Sequence, residues 1–415
     1  MPMTGSVRVT LHAATDVGLV RQNNEDNFLV LDLTRGVSWT AADGALPPVG
    51  MLPLDVGEEG VILAVSDGMG GALAGEVASQ LAVTAVTRLI QHFQKSPSYR
   101  QFAFSERLRL ALEQANALIF ERSQQRIEFT GMGATFTAAA FHQGTLHLAQ
   151  VGDSRAYLLR ADRIKQVTKD QSLVEQLVDA GYLTPDQAER HAYRNIILQA
   201  LGAQPNTVIV VEKIPLCRDD VVLLCTDGLS NKVTAPEMAE IIRGAKDEAT
   251  ACAELIRLAN ERGGEDNITV VVARFAGEGL PPAAEHEELT TVRIERDNRL
   301  PDTIEPEVWN DPSLSLPLHL LTEQDERTRE QSEGDDQSPT ADDPMPGIET
   351  FEREESSPAD RNHARGLSLA LLIILFLLLL GAVASTLWYL KVRGGPRTDP
   401  SDEPMLAFDG LATLS

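Results

Sequence analysis

Three apolar runs in this chain each meet a carboxylate at one end. VILAVSDGMGG reaches Asp67, VVLLCTDGL reaches Asp227, and GGEDNITVVV starts from Asp266. Short apolar runs bounded by turn residues read as buried strands. A carboxylate at the end of a buried strand is costly unless a cation or hydrogen bonds satisfy it. Several of them converging would also repel one another. A fold that gathers these strand ends therefore calls for divalent cations. A fourth acidic cluster, Glu25 and Asp26 in RQNNEDNF, leads into the apolar run Phe28 to Leu33.

The ligand types narrow the ion. The eight histidines are scattered, with none at HxxxH or HxH spacing. An all-oxygen set suits Mg²⁺ or Mn²⁺ rather than Zn²⁺, and no EF-hand spacing points to Ca²⁺. Each Asp-Gly alone is a common turn dipeptide and carries little weight. Gly68 to Gly71 is not a phosphate-binding P-loop, because no GK[ST] follows. The three cysteines form no CxxC pair. That usage suits a reducing cytosol, and Cys225 reads as a small buried residue.

The chain has 415 residues and a formal net charge of -25, with much of the acidic excess between residues 277 and 360. Such a balance repels nucleic-acid phosphates, so nucleic acid is not an expected partner. Residues 5–276 read as one domain without internal repeats. Val7, Val9 and Leu11 alternate as in a strand. Helical patterns cover 72–95, 103–126, about 170–180, and 234–262. Further strands are expected at 61–65, 135–141, 145–151, 155–159, 207–213, 220–225 and 268–275. That order fits a layered α+β domain better than strict βαβ alternation.

Residues 277–366 mix Pro, Glu, Asp, Ser and Thr with few aromatics, which predicts a disordered spacer. The short apolar stretch Leu314 to Leu321 within it reads as chance hydrophobicity rather than a docking patch. Residues 367–390, LSLALLIILFLLLLGAVASTLWYL, carry no charge. At about 1.5 Å per residue they span roughly 36 Å, enough for one transmembrane helix. Trp388 and Tyr389 sit where an interfacial belt would lie. The N-terminal MPMTGSVRVT contains no continuous apolar stretch, so no signal peptide is expected. The expected localisation is the cell membrane, single-pass. The catalytic domain would be cytoplasmic, and 391–415 would form a short extracytoplasmic tail.

Taken together and in order, the motifs resemble the PPM family, the type 2C metal-dependent protein phosphatases, in its bacterial branch. The carriers are TDVGLVRQNNEDNF (Thr15 to Phe28), SDGMGG, GATFTAA, VGDSRAY, RNIILQALG, TDGL and GGEDNITV, across about residues 8–275. The resemblance implies a four-layer α-β-β-α sandwich with two antiparallel sheets and a binuclear metal centre between them. It implies that Asp67 bridges two Mn²⁺ or Mg²⁺ ions and that the Gly68 carbonyl is a ligand. Asp227 and Asp266 would be the remaining direct ligands. Glu25 and Asp26 would bind metal waters, Arg21 would grip the substrate phosphate, and Asp153 with Asp227 would support a third ion. Asn267 would support the last ligand.

The chemistry implied is attack of a metal-activated water on phosphoserine or phosphothreonine in proteins. The expected setting opposes bacterial Ser/Thr kinases, one of which would itself be a substrate, and the expected catalytic domain is monomeric. The three cysteines show no CxxxxxR signature of a cysteine phosphatase. Two features depart from the family pattern. Met69 stands where animal members carry a histidine proposed as general acid, and Gln171 in KDQS replaces the histidine of the usual DHS. Residues 34–60 form a longer Gly/Pro-rich connection than usual, and 170–195 resemble the variable flap. Two alternatives differ in function: a catalytically inactive scaffold on the same fold, which would be expected to lose carboxylates, and a phosphatase acting on an anti-sigma antagonist.

Overall fold

Both faces of the run Val61–Met69 are apolar, and each face meets a different layer. Val61, Leu63 and Val65 enter one buried cluster while Ile62 and Ala64 enter another. The period-2 alternation of a strand separates these two sets, so the strand must lie between two apolar layers. The same split recurs at 268–276. There Val271, Ala273 and Phe275 face the first cluster, and Ile268, Val270 and Val272 face a third.

The computed structural model describes residues 5–48, 51–284 and 288–301, all within one unit. The chain begins β1 (Val7–Asp16), β2 (Asp26–Asp32), β3 (Val37–Thr40), β4 (Leu54–Val56) and β5 (Val61–Met69). Helices α1 (Ala72–Lys95), α2 (Pro97–Arg100) and α3 (Phe104–Ser123) follow. Next come β6 (Gly133–Ala134), β7 (Phe136–His142), β8 (Thr145–Val151), β9 (Arg155–Arg160) and β10 (Arg163–Gln166). Helices α4 (Leu173–Asp179) and α5 (Pro185–Glu189) precede β11 (Val210–Pro215) and β12 (Val221–Cys225). The last elements are α6 (Asp227–Ser230), α7 (Ala235–Gly244), α8 (Glu248–Glu261), β13 (Ile268–Ala276) and β14 (Val292–Arg293).

One sheet has the order β10-β9-β12-β13-β1-β4 and the other β14-β11-β8-β7-β5-β2-β3, with β6 beside β5. The named strands pair antiparallel throughout. Helices α1 and α3 cover the outer face of the second sheet, and α7 and α8 cover that of the first. The inner faces pack on each other through Phe28, Leu63, Phe141, Leu224 and Phe275. The α-β-β-α sandwich expected from the sequence is therefore present. Helix α1 is long and apolar enough to cross a membrane, but it lies mostly buried inside this domain.

Three boundaries differ from expectation. The single helical pattern over 234–262 is two helices, because the Asp247 carboxylate accepts from the Thr250 N–H at 2.8 Å and caps a new start at α8. The 34–60 connection is built into the sandwich. Its β3 extends one sheet, its β4 pairs with β1 in the other, and Trp39, Met51 and Leu54 fill the space between.

The domain also runs past 276, so the spacer expected from 277 does not begin there. Leu280, Leu289 and Leu300 are buried, and β14 adds to β11 at the sheet edge. Arg109 donates to the Ile209 carbonyl at 2.9 Å and also to the Ile294 carbonyl, while Arg296 pairs with Glu113 at 2.8 Å. The expected spacer from residue 302 onward, the transmembrane helix 367–390 and the tail 391–415 lie outside the described residues.

Candidate metal centre

Sheet register delivers the acidic residues to one place. In the β2–β5 pairing Asp26 stands directly opposite Asp67. Strand β12 pairs with β13, so Asp227 just after the one approaches Asp266 just before the other. Asp153 lies in the turn between β8 and β9. Burial pushes the Asp67 carboxyl toward the neutral form, and Asp26, Asp227, Asp153 and Asp266 push it the same way. Arg21, 49% exposed at the mouth, donates to Asp266 at 2.9 Å and also senses Glu25 and Asp67. Every residue singled out in the sequence as a ligand or phosphate contact is thus brought into one neighbourhood.

Burial is the main force on these carboxyls, with like-charge repulsion added. Desolvation raises Asp26 to about 7, against the help of a hydrogen bond from Thr226. It raises Asp227 to about 6 and Asp153 to about 8. Asp67 moves well above its ordinary value for the same reason, and half-buried Glu25 moves up as well. One oxygen of Asp153 and one of Asp227 are buried without a hydrogen-bond partner. Among the described residues no three acidic, imidazole or thiol side chains close on a single preformed ion position. A crowd of raised carboxyls with orphaned oxygens is the environment that hard divalent cations relieve, so the residues fit such ions.

Several residues that position the acids carried little signal in the sequence. The Thr226 hydroxyl donates to Asp26 at 2.7 Å and accepts from the Thr269 N–H at 3.0 Å. The Thr135 hydroxyl accepts from the Asp67 N–H at 2.9 Å and lies 2.7 Å from Ser154. Asn231 donates to Asp227 at 3.1 Å. Asn267 carries more: its carbonyl oxygen accepts from the Glu25 N–H at 2.8 Å, and its amide donates to Val17 and Asn23 at 2.9 and 3.0 Å. It ties the Arg21–Asp26 loop to the strand that follows Asp266. Gly68 is needed for close approach, since a Cβ there would stand 2.0 Å from the Gly75 carbonyl oxygen.

Helices α4 and α5 form the flap expected over 170–195. A groove of about 910 Å³ runs beneath it from Asp153 and Asp227 toward Glu175, Arg190 and Arg194. Gln171 sits between two of its lining residues, Asp170 and Ser172. Its side chain accepts from the Gly152 N–H at 2.7 Å and donates to the Val208 carbonyl at 3.0 Å. Its own carbonyl accepts from the Leu198 N–H at 2.8 Å. The amide thus fastens the turn carrying Asp153 to the segments around the flap.

Comparison with known proteins bears on this geometry. Residues 52–261 match the family model described as Protein phosphatase 2C. The chain is 34% identical over 260 residues to the serine/threonine phosphatase stp of Listeria innocua, covering 62% of this chain and 92% of that protein. It is 36% identical over 271 residues to the serine/threonine protein phosphatase PstP of Mycobacterium tuberculosis, covering 64% of this chain and 46% of that longer protein. The crystal structure of the Mycobacterium tuberculosis serine/threonine phosphatase PstP superposes with a TM-score of 0.53 at 34% identity, covering 64% of this chain and 98% of that one. A second structure, the catalytic domain of PstP in complex with two manganese ions, superposes with a TM-score of 0.52 at 33% identity, covering 65% of this chain and 99% of that one.

Proposed function

The chain belongs to the protein phosphatase 2C family and is a serine/threonine protein phosphatase, and from that premise we propose how its acidic centre works and what it serves. The observation that carries the reading is the meeting of Asp26, Asp67, Asp153, Asp227 and Asp266 beside Arg21. Asp67, the Gly68 carbonyl, Asp227 and Asp266 would hold two Mn²⁺ or Mg²⁺ ions directly. Glu25 and Asp26 would act through bound waters, and Asp153 with Asp227 would serve a third. Such ions, when bound, supply an ionised water at neutral pH and offset phosphoryl charge.

The chain's own groups do the rest. The Arg21 fork is held by Asp266 and open to solvent, where it can take two oxygens of a phosphate monoester. Asn267 keeps that arginine's loop fixed relative to Asp266. No covalent thiol route competes. Cys217, Cys225 and Cys252 are buried, and burial pushes the thiols of Cys225 and Cys252 up to about 12.

The substrates are proteins phosphorylated on serine or threonine, and the enzyme opposes Ser/Thr kinases, including one that is itself a substrate. The uncharged run 367–390 anchors the enzyme to the cell membrane with the catalytic domain on the cytoplasmic side. Asp67→Asn tests the site: Mn²⁺-dependent release of phosphate from a phosphothreonine peptide should vanish. Retained turnover would remove the proposed centre. For the anchor, the full chain should sediment with membranes while a chain ending at residue 301 stays in the supernatant and active. A full chain found in the supernatant would count against it.

A further inference from the structure

The turn between β1 and β2 holds two apolar side chains out in water beside Arg21. Leu19 is 68% exposed and Val20 64%. The turn is strapped from several sides. The Leu19 N–H donates to the Gly264 carbonyl at 2.7 Å, and the Gly18 N–H donates to the Asp16 carboxylate at 2.9 Å. Asn260 donates to the same Asp16 oxygen at 3.0 Å, and Asn267 holds the Val17 and Asn23 carbonyls. Gly18 adopts a φ of +79°, and a Cβ there would stand 2.3 Å from the Asp266 carbonyl oxygen. A turn this constrained cannot fold the pair inward, so the exposure is built in.

Position says what would cover it. Leu19 and Val20 adjoin Arg21, which pairs with Asp266. The groove under the flap leaves the acidic centre on its Asp153 and Asp227 side and includes neither residue of the pair. A polypeptide with its phosphorylated residue at Arg21 would lie next to this apolar pair, which adjoins Arg21 in the chain and does not line the flap groove. We propose that Leu19 and Val20 are specificity-determining residues, forming the contact for an apolar side chain next to the phosphorylated serine or threonine of a protein substrate. The proposal rests on the assignment of the acidic centre as the catalytic site.

The test is steady-state kinetics of the wild type and of a Leu19→Ser/Val20→Ser variant with saturating Mn²⁺. Two phosphothreonine peptides, one with leucine and one with serine flanking the phosphothreonine, are compared with para-nitrophenyl phosphate. Wild type should prefer the leucine peptide by about fivefold in kcat/KM, as a partly buried apolar contact allows. The variant should lose that preference through KM, while kcat and para-nitrophenyl phosphate turnover stay within twofold. A Leu19→Met/Val20→Ile variant should keep the preference. Equal discrimination in wild type and Ser variant overturns the proposal. So does a uniform fall on all three substrates, which would mean that the turn acts only through Arg21. Failure of the catalytic assignment itself reads differently: Asp67→Asn would then keep para-nitrophenyl phosphate turnover.

Discussion

At the scale of single residues, the centre is defined by carboxyls kept in conditions they do not favour. Asp227, Asp26 and Asp153 are raised to about 6, 7 and 8, first by burial and then by neighbouring carboxylates such as Asp266 and Asp227. A carboxyl raised in the folded state binds its proton more tightly there than in the unfolded chain. Without metal, its contribution to stability is therefore present at low pH and lost as pH climbs through the folded value. The metal-free domain should melt at progressively lower temperature from pH 5 to pH 8, and saturating Mn²⁺ should flatten that slope. A metal-free melting temperature that rises over this range would contradict the crowding. Arg21 offers a second residue-scale test. Arg21→Ala should lower kcat/KM for a phosphopeptide by about 10- to 100-fold, the scale of a charged bidentate contact, with Arg21→Lys recovering part. An unchanged value would place the phosphate elsewhere.

At the scale of elements, register and edge strands do the positioning. Because β2 pairs with β5 and β12 with β13, acids over two hundred residues apart along the chain share one rim. The same logic gives weight to the segment after β13. Cutting the chain after Gly279 removes three buried leucines, β14, one of the carbonyls that Arg109 donates to, and the Arg296 partner of Glu113. Each buried leucine contributes about 2 kcal/mol, offset in part by the entropy of ordering the segment, so its removal should lower stability. The melting temperature should fall by a few degrees relative to a chain ending at residue 301. Equal melting temperatures would mean that the segment adds nothing. At the flap, Gln171→Ala should lower the melting temperature by a few degrees and raise the Mn²⁺ concentration needed for half-maximal activity several-fold, because Gly152 loses its partner next to Asp153. An unshifted Mn²⁺ requirement would show that the fastening is not felt at the centre.

At the scale of the whole molecule, the parts that were legible in the sequence are those with strong local periodicity. Short apolar strands, each meeting a carboxylate, announced a layered α+β domain with a shared need for cations, and the four-layer sandwich was what the family resemblance implied. The segment 277–301 was hidden because Leu280, Leu289, Ile294 and Leu300 are spaced too widely among charges to form a periodic run. The 34–60 connection was hidden for a similar reason, its anchors Trp39, Met51 and Leu54 standing alone among glycines and prolines. Thr135 and Thr226 next to strand ends look like any β-branched residue until the fold places an acid within 3 Å. These differences shift boundaries and supports without moving the centre. Its claim is that acids from separate segments jointly bind hard divalent cations. Calorimetric titration of Mn²⁺ into the chain and into Asp67→Asn tests this most directly. At least two ions should bind each wild-type chain, and the variant should lose that stoichiometry. Identical titrations for the two proteins would contradict the shared site.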